Sequence, residues 1–186
     1  QSAFEMPVQA KAQMLGYLAQ ERTLGWRLRA EDVAALGRHA WGGGDYASLG
    51  RSDQQIVDVA LKKAGAEKFF GRDATQLSGG EQARVHLARV LATDARILLL
   101  DEPCAALDIR HQLDLMNVLE VERKAGRTIV TALHDLDLAQ RFCTRLLVLK
   151  EGVVIADGAP KSVLTEVLLG DVFGLNEDEF SRYMRG

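Results

Sequence analysis

Three short runs of apolar residues limit the fold of this chain more than any other feature. They are Ile97-Leu98-Leu99-Leu100, Thr128-Ile129-Val130-Thr131 and Leu146-Leu147-Val148-Leu149. Runs without polar alternation suit parallel strands covered on both faces. Met14-Leu15-Gly16-Tyr17-Leu18 is a weaker fourth candidate. Helical patterns lie between the runs. Ala83, Leu87, Val90 and Leu91 share one face of a helix that starts near Gly79. Ile109, Leu113 and Met116 share a face of the next helix, which ends near Gly126. From residue 79 onward the order is helix, strand, helix, strand, helix, strand, which predicts right-handed α/β layers. Lys150-Glu151-Gly152 then turns the chain into Val153-Val154-Ile155-Ala156, a hairpin pattern.

Residues 25–76 have a different character. They hold the patch Trp41-Gly42-Gly43-Gly44-Asp45 and helical patterns but no strong strand, so they read as a helical insertion with a flexible tip. Within them Ser52, followed three residues on by Gln55, predicts a capping box opening a helix from Ser52 to Ala64.

The chain has 186 residues, enough to bury the core of one domain. Its 47% hydrophobic and 26% charged residues are ordinary for a globular protein. A net charge of -3 offers no basic field to attract nucleic acid or an anionic bilayer. A membrane-spanning helix needs about 20 apolar residues, and the uncharged apolar runs are far shorter, so any link to a membrane is expected to pass through a partner. Cys104 and Cys143 stand far apart, without a zinc-like spacing, and read as small packing residues in a reduced cytoplasmic compartment. The opening Gln1-Ser2-Ala3-Phe4 carries no initiator Met and no targeting pattern, and reads as the middle of a larger protein.

Four features bear chemistry. Leu77-Ser78-Gly79-Gly80-Glu81-Gln82 directly precedes an amphipathic helix. Its glycines allow close backbone approach, and the helix start adds free N–H groups, a positive dipole end and the Ser78 hydroxyl. That is a phosphate-binding arrangement, or simply a Ser/Gly helix cap. The strand Ile97 to Leu100 delivers Asp101 and Glu102 at its C-terminal end, followed by Pro103. α/β sheets bind ligands at such ends. Asp101 is placed to hold Mg²⁺ and Glu102 to polarise a water, unless the strand merely ends in a polar turn. His134 follows the next strand, where an imidazole can stabilise a γ-phosphate, although a lone His there is more often structural. Gln20 ends the weak strand. Its amide oxygen can ligate Mg²⁺ or water, although taken alone it reads as a surface residue.

Taken in order, these features resemble the ATPase subunit of the ABC transporter superfamily. Leu77 to Gln82 resembles the signature, the strand ending in Asp101-Glu102-Pro103 the Walker B motif, Asp108 in Ala106-Leu107-Asp108 the D-loop, His134 the switch histidine and Gln20 the Q-loop. The resemblance implies a P-loop NTPase-like ABC ATPase core, α/β with a mainly parallel sheet flanked by helices, and a helical subdomain. It divides the chain into a Q-loop segment at 1–24, a helical subdomain at 25–94 and a Walker B, D-loop and H-switch half at 95–186.

The resemblance also implies a mechanism. ATP is sandwiched head to tail between two subunits, so this chain is expected to form a homodimer. Ser78, Gly79, Gly80 and Gln82 would serve the partner's ATP. Gln20, Asp101, Glu102 and His134 would serve the subunit's own, with Asp108 at the nucleotide interface. Glu102 would be the general base, Asp101 and Gln20 would hold Mg²⁺, and His134 would stabilise the γ-phosphate. Permease subunits, contacted through the region near residues 21–50, would hold the protein at the cytoplasmic face of a bacterial inner membrane, with a substrate-binding protein as an indirect partner. Leu107-Asp108-Ile109-Arg110-His111-Gln112, His134-Asp135-Leu136-Asp137-Leu138-Ala139, Ala35-Leu36-Gly37-Arg38 and the stretch from Gly158-Ala159-Pro160 to Val172-Phe173-Gly174 are similar to importers of ferric siderophore, haem and cobalamin.

One departure matters most. No Gly-x-x-x-x-Gly-Lys-Ser/Thr occurs in the 186 residues. The family places that Walker A loop, and the strand leading into it, upstream of the Q-loop. This polypeptide alone is therefore expected to lack ordinary ATPase activity and to expose an apolar strand face or edge. Two other readings stay open: a non-transport ABC-type ATPase of DNA repair or translation, or a truncated non-catalytic module. The absence of sustained heptads and of a second copy speaks against the first.

Overall fold

The structure is a computed structural model that describes residues 5–174, Thr23 excepted. The opening Gln1-Ser2-Ala3-Phe4 lies outside the described residues. Two compact units divide the chain, Gln1–His134 and Asp135–Gly186.

In the first unit, β1 (Leu15–Leu18), β2 (Ile97–Asp101) and β3 (Thr128–Ala132) form a parallel sheet in the order β1-β2-β3. The register pairs Leu18 with Leu100 and Asp101 with Ala132. α1 (Val8–Met14) leads into β1. α5 (Ile109–Lys124) carries the chain from β2 to β3. Side chains alternate across the sheet, so its two faces differ. Leu18, Leu98 and Leu100 are buried on one. The other carries the cross-strand row Tyr17, Leu99, Val130, in which Tyr17 and Val130 are half exposed. The expectation of strands covered on both faces therefore holds for one face only among the described residues. An unbroken apolar run does not reveal which neighbour covers which face.

α4 (Gly79–Ala92) is largely buried; Ala83, Val85, Leu87, Ala88, Val90 and Leu91 all lie inside. It meets β1 at Gly16, where a Cβ would stand 2.8 Å from Thr93 Oγ1 and 2.9 Å from the Leu98 side chain, so only glycine fits the approach. α2 (Ala30–Ala35) and α3 (Arg51–Lys63) pack on α4 and are linked by 3-10 turns at Leu36–Trp41 and Tyr46–Ser48. Arg38 locks this layer. Its buried guanidinium donates to the Ala92 carbonyl at the end of α4 at 3.0 Å and to Asp53 of α3 at 2.9 Å.

Two helix readings need correction. α3 begins at Arg51 with Gly50 as N-cap, so Ser52 lies inside the first turn and forms no capping box with Gln55. The extended backbone at Gly50 starts the helix before Ser52 can cap it. In α5, Leu115, Met116 and Leu119 are buried while Ile109 is 76% exposed, so the inward face is rotated from the one expected. α5 ends at Lys124, close to Gly126 as the pattern predicts.

The second unit holds α6 (Leu136–Phe142), β4 (Leu146–Lys150), β5 (Val153–Gly158), α7 (Pro160–Val163) and α8 (Glu166–Phe173). The hairpin forms with its turn at Glu151 and Gly152, both at positive φ. Leu146 to Leu149, read as a covered parallel strand, instead pairs antiparallel with β5 in a two-stranded sheet, and Leu147 and Leu149 are exposed. The two-residue connection dictates this, because parallel strands need a long crossover.

Candidate functional site

Strand β2 carries Asp101 to its C-terminal end, and the chain then turns sharply. Glu102 adopts φ 44°, a region that L-residues rarely enter. This reversal sends the Glu102 carboxylate in a different direction from that of Asp101. Gln20, two residues beyond β1, donates its amide N–H to Glu102 Oε2 at 2.8 Å. His134, two residues beyond β3, places Nε2 2.5 Å from Glu102 Oε1. The ends of three adjacent strands thus meet on one carboxylate. Glu102 is 20% exposed and His134 82% exposed, so the group faces solvent.

The Asp101 carboxylate accepts no hydrogen bond from the described residues, and the Gln20 amide oxygen is likewise without a protein partner among them. A carboxylate and an amide oxygen are hard donors suited to a divalent cation that keeps several waters. No group of three or more His, Cys, Asp or Glu converges as a self-sufficient metal cage among the described residues.

The signature-like segment forms a second cluster. Ser78 is the N-cap of α4 in a reciprocal capping box: its backbone N–H and hydroxyl donate to Glu81 Oε2 at 2.9 and 3.0 Å, and its Oγ accepts from the Glu81 N–H. The two bonds from Ser78 hold the Glu81 carboxyl below its ordinary range. The hydroxyl expected to face a ligand is therefore engaged by its own helix, and Glu81 is its capping partner, one the sequence reading did not single out although the Ser-x-x-Glu spacing signals it. Gly79 and Gly80 stand in the first turn, where helix N–H groups lack intrahelical partners. Gln82 donates to the Leu77 carbonyl at 3.1 Å.

Asp108 caps α5. It accepts the His111 backbone N–H at 2.8 Å and lies 2.8 Å from His111 Nδ1, and these contacts hold its carboxyl pKa below the ordinary aspartate value. The His111 ring lies against Gly80, where a Cβ would come within 3.0 Å of it. So the Asp108 turn supports the glycine segment through His111, a residue whose only sequence signal is its place in Leu107–Gln112. The structure thus gathers Gln20, Glu102 and His134 in one place, with Asp101 beside them, and Ser78, Gly79, Gly80, Gln82 and Asp108 in another. Among the described residues no hydrogen bond joins the two.

Residues 3–105, more than half of the chain, match the sequence model of the family described as ABC transporter. The chain belongs to the ABC transporter family. This ABC ATP-binding domain is 41% identical over 178 residues to a hemin import ATP-binding protein HmuV of Rhodopseudomonas palustris, covering 91% of this chain and 63% of that protein. It is 42% identical over 156 residues to HmuV of Streptomyces coelicolor, covering 84% and 55%. It is 40% identical over 158 residues to a cobalamin import ATP-binding protein BtuD of Halobacterium salinarum, covering 84% and 39%. The chain thus spans little more than half to five-eighths of the length of the HmuV relatives.

Among solved structures, the fold matches an inward-facing putative metal-chelate type ABC transporter with TM-score 0.79, at 24% identity over 87% of this chain and 64% of that one. The dimeric ATP-binding cassette MJ0796 bound to ADP and Pi gives 0.68 at 28% identity, covering 82% and 65%. These neighbours bear out the α/β ABC ATPase fold with a parallel sheet flanked by helices. No described helix of this ABC domain is long and apolar enough to cross a membrane.

Proposed function

We propose that this ABC domain belongs to a subunit that hydrolyses ATP to drive uptake of ferric siderophore, haem or cobalamin. The observation that carries the reading is the Glu102 carboxylate held between Gln20 and His134 at the ends of three parallel strands. A carboxylate so placed takes a proton from water as the water oxygen attacks the γ-phosphorus and ADP leaves. In the arrangement seen, Gln20 and His134 each engage one Glu102 oxygen and orient it, and each oxygen keeps a lone pair for the water's proton. His134, on turning from Glu102, donates to the γ-phosphate. Asp101 and the Gln20 amide oxygen would hold Mg²⁺, which supplies charge neutralisation at the phosphates.

Ser78, Gly79, Gly80 and Gln82 serve the ATP of a second copy docked head to tail, with Asp108 and His111 behind them. The free N–H groups at the start of the 14-residue helix α4 support this. The names of the HmuV and BtuD relatives support haem or cobalamin as cargo, and the organisms of the HmuV relatives support a bacterial-type importer. Permease subunits then hold the protein at the cytoplasmic side of the membrane, and a substrate-binding protein delivers the cargo. These 186 residues contain no Walker A loop, so this stretch alone is proposed to turn over no ATP.

Glu102→Gln in the complete protein tests the reading. ATP is expected to remain bound while turnover falls by about 10² or more. Turnover at the wild-type rate removes Glu102 from the role. Uptake assays of the complete transporter with labelled siderophore, haem and cobalamin decide the cargo.

A further inference from the structure

The loop after β1 carries a second polar residue that the proposed function leaves without a task. Arg22 stands two positions beyond Gln20 and is partly buried. Its Nη2 donates to two main-chain carbonyls of the β2 turn, Glu102 at 3.1 Å and Pro103 at 3.0 Å. Its Nε donates to the Ala19 carbonyl at 3.3 Å. Arg22 forms no ion pair with any described residue. Burial lowers its pKa, so the charge is held at a cost that its carbonyl contacts offset.

A guanidinium with no carboxylate partner, committed instead to three carbonyls, fixes shape rather than pairing charge. Two of those carbonyls, that of Glu102 itself and that of Pro103, directly follow the unusual φ of Glu102. At φ 44°, Glu102 needs surrounding structure to keep it in place. Its carbonyl also accepts the Ala105 N–H at 3.1 Å. Both ends of Glu102 are thereby tied: the carboxylate to Gln20 and His134, the carbonyl to Arg22 and Ala105. Arg22 also lines a cleft with Leu24, Thr75 and Gln82, which places it beside the first turn of α4.

We infer that Arg22 is a positioning residue for ATP hydrolysis: by clamping the carbonyls of Glu102 and Pro103, it holds the left-handed turn that aims the Glu102 carboxylate. This role rests on the reading of Glu102 as the base. Arg22 touches backbone behind the carboxylate, so its loss acts on the chemical step and not on nucleotide affinity.

The test is steady-state ATP turnover by the complete protein. Arg22→Ala is expected to lower kcat about tenfold or more, to leave KM for ATP within about twofold, and to shift the melting temperature by only a few degrees. Arg22→Lys, with one flexible donor group for the same carbonyls, recovers part of the lost kcat. Placed in a Glu102→Gln background, Arg22→Ala changes the residual rate by less than about twofold, because its effect runs through Glu102. If Arg22→Ala does not fold, Arg22→Gln, too short to span both carbonyls, carries the same expectation. Wild-type kcat in a folded Arg22→Ala or Arg22→Gln variant overturns the role, as does an undiminished loss in the Glu102→Gln background. Wild-type protein that hydrolyses no ATP at all removes the underlying reading, and the role of Arg22 with it.

Discussion

Gln20 donates a hydrogen bond of 2.8 Å to Glu102 across 82 residues of sequence. The contact joins the end of one parallel strand to the end of its neighbour, so it reports directly on how the sheet assembles the site. It orients the carboxylate while leaving each oxygen a further lone pair with which to take a proton.

His134 engages the other Glu102 oxygen but lies 82% exposed. His134→Ala should therefore separate activity from stability. Turnover of ATP by the complete protein is expected to drop by about 10² or more, with unfolding free energy within about 0.5 kcal/mol of wild type. Equal losses of activity and stability would instead make His134 a structural residue.

His86 lies buried on α4, and burial, with help from Arg89 and Arg22, pushes its pKa from 6.5 to about 4. Above pH 6.5 both folded and unfolded states hold it neutral. As pH falls from 6.5 towards 4, the unfolded chain binds a proton that the fold excludes, so stability is lost across that window. The loss amounts to at most about 3 kcal/mol. His86→Leu should lose less stability than wild type between these pH values in parallel urea titrations. Parallel pH curves for the two proteins would refute this.

Arg38 spends its guanidinium on Asp53 and on the last turn of α4. Arg38→Ala removes charge-assisted bonds and leaves the Ala92 carbonyl without that donor. A destabilisation of roughly 2–3 kcal/mol is expected, read as a lower urea midpoint at unchanged slope.

Gly16→Ala should cost roughly 1–3 kcal/mol through overpacking, since the new methyl meets Thr93 and Leu98 at under 3.0 Å. Thermal melts of the variant and the wild type measure it; an unchanged midpoint would mean that β1 and α4 can move apart freely.

Much of the site was legible in order and almost none of it in space. Apolar runs ending in Asp101 and Glu102, and in His134, announce strand ends where α/β proteins bind ligands. Gln20 alone looked like a surface residue, because nothing local distinguishes it. Arg22 could not be found at all, since its partners are carbonyls and carbonyls leave no mark on a sequence. His111 and Glu81 stood in plain view, and their tasks emerge only from contacts with Asp108, Gly80 and Ser78.

The sequence by itself determined the alternation of strands and helices, the placement of carboxylates, imidazole and glycines at element ends, and membership of the ABC family. These depend on local periodicity and residue order. Tertiary structure alone decided that β1 lies beside β2, bringing Gln20 to Glu102, and that only one sheet face is deeply covered by the described residues. Those outcomes rest on pairing between distant segments and on backbone angles such as the positive φ of Glu102, which packing enforces and no residue type encodes.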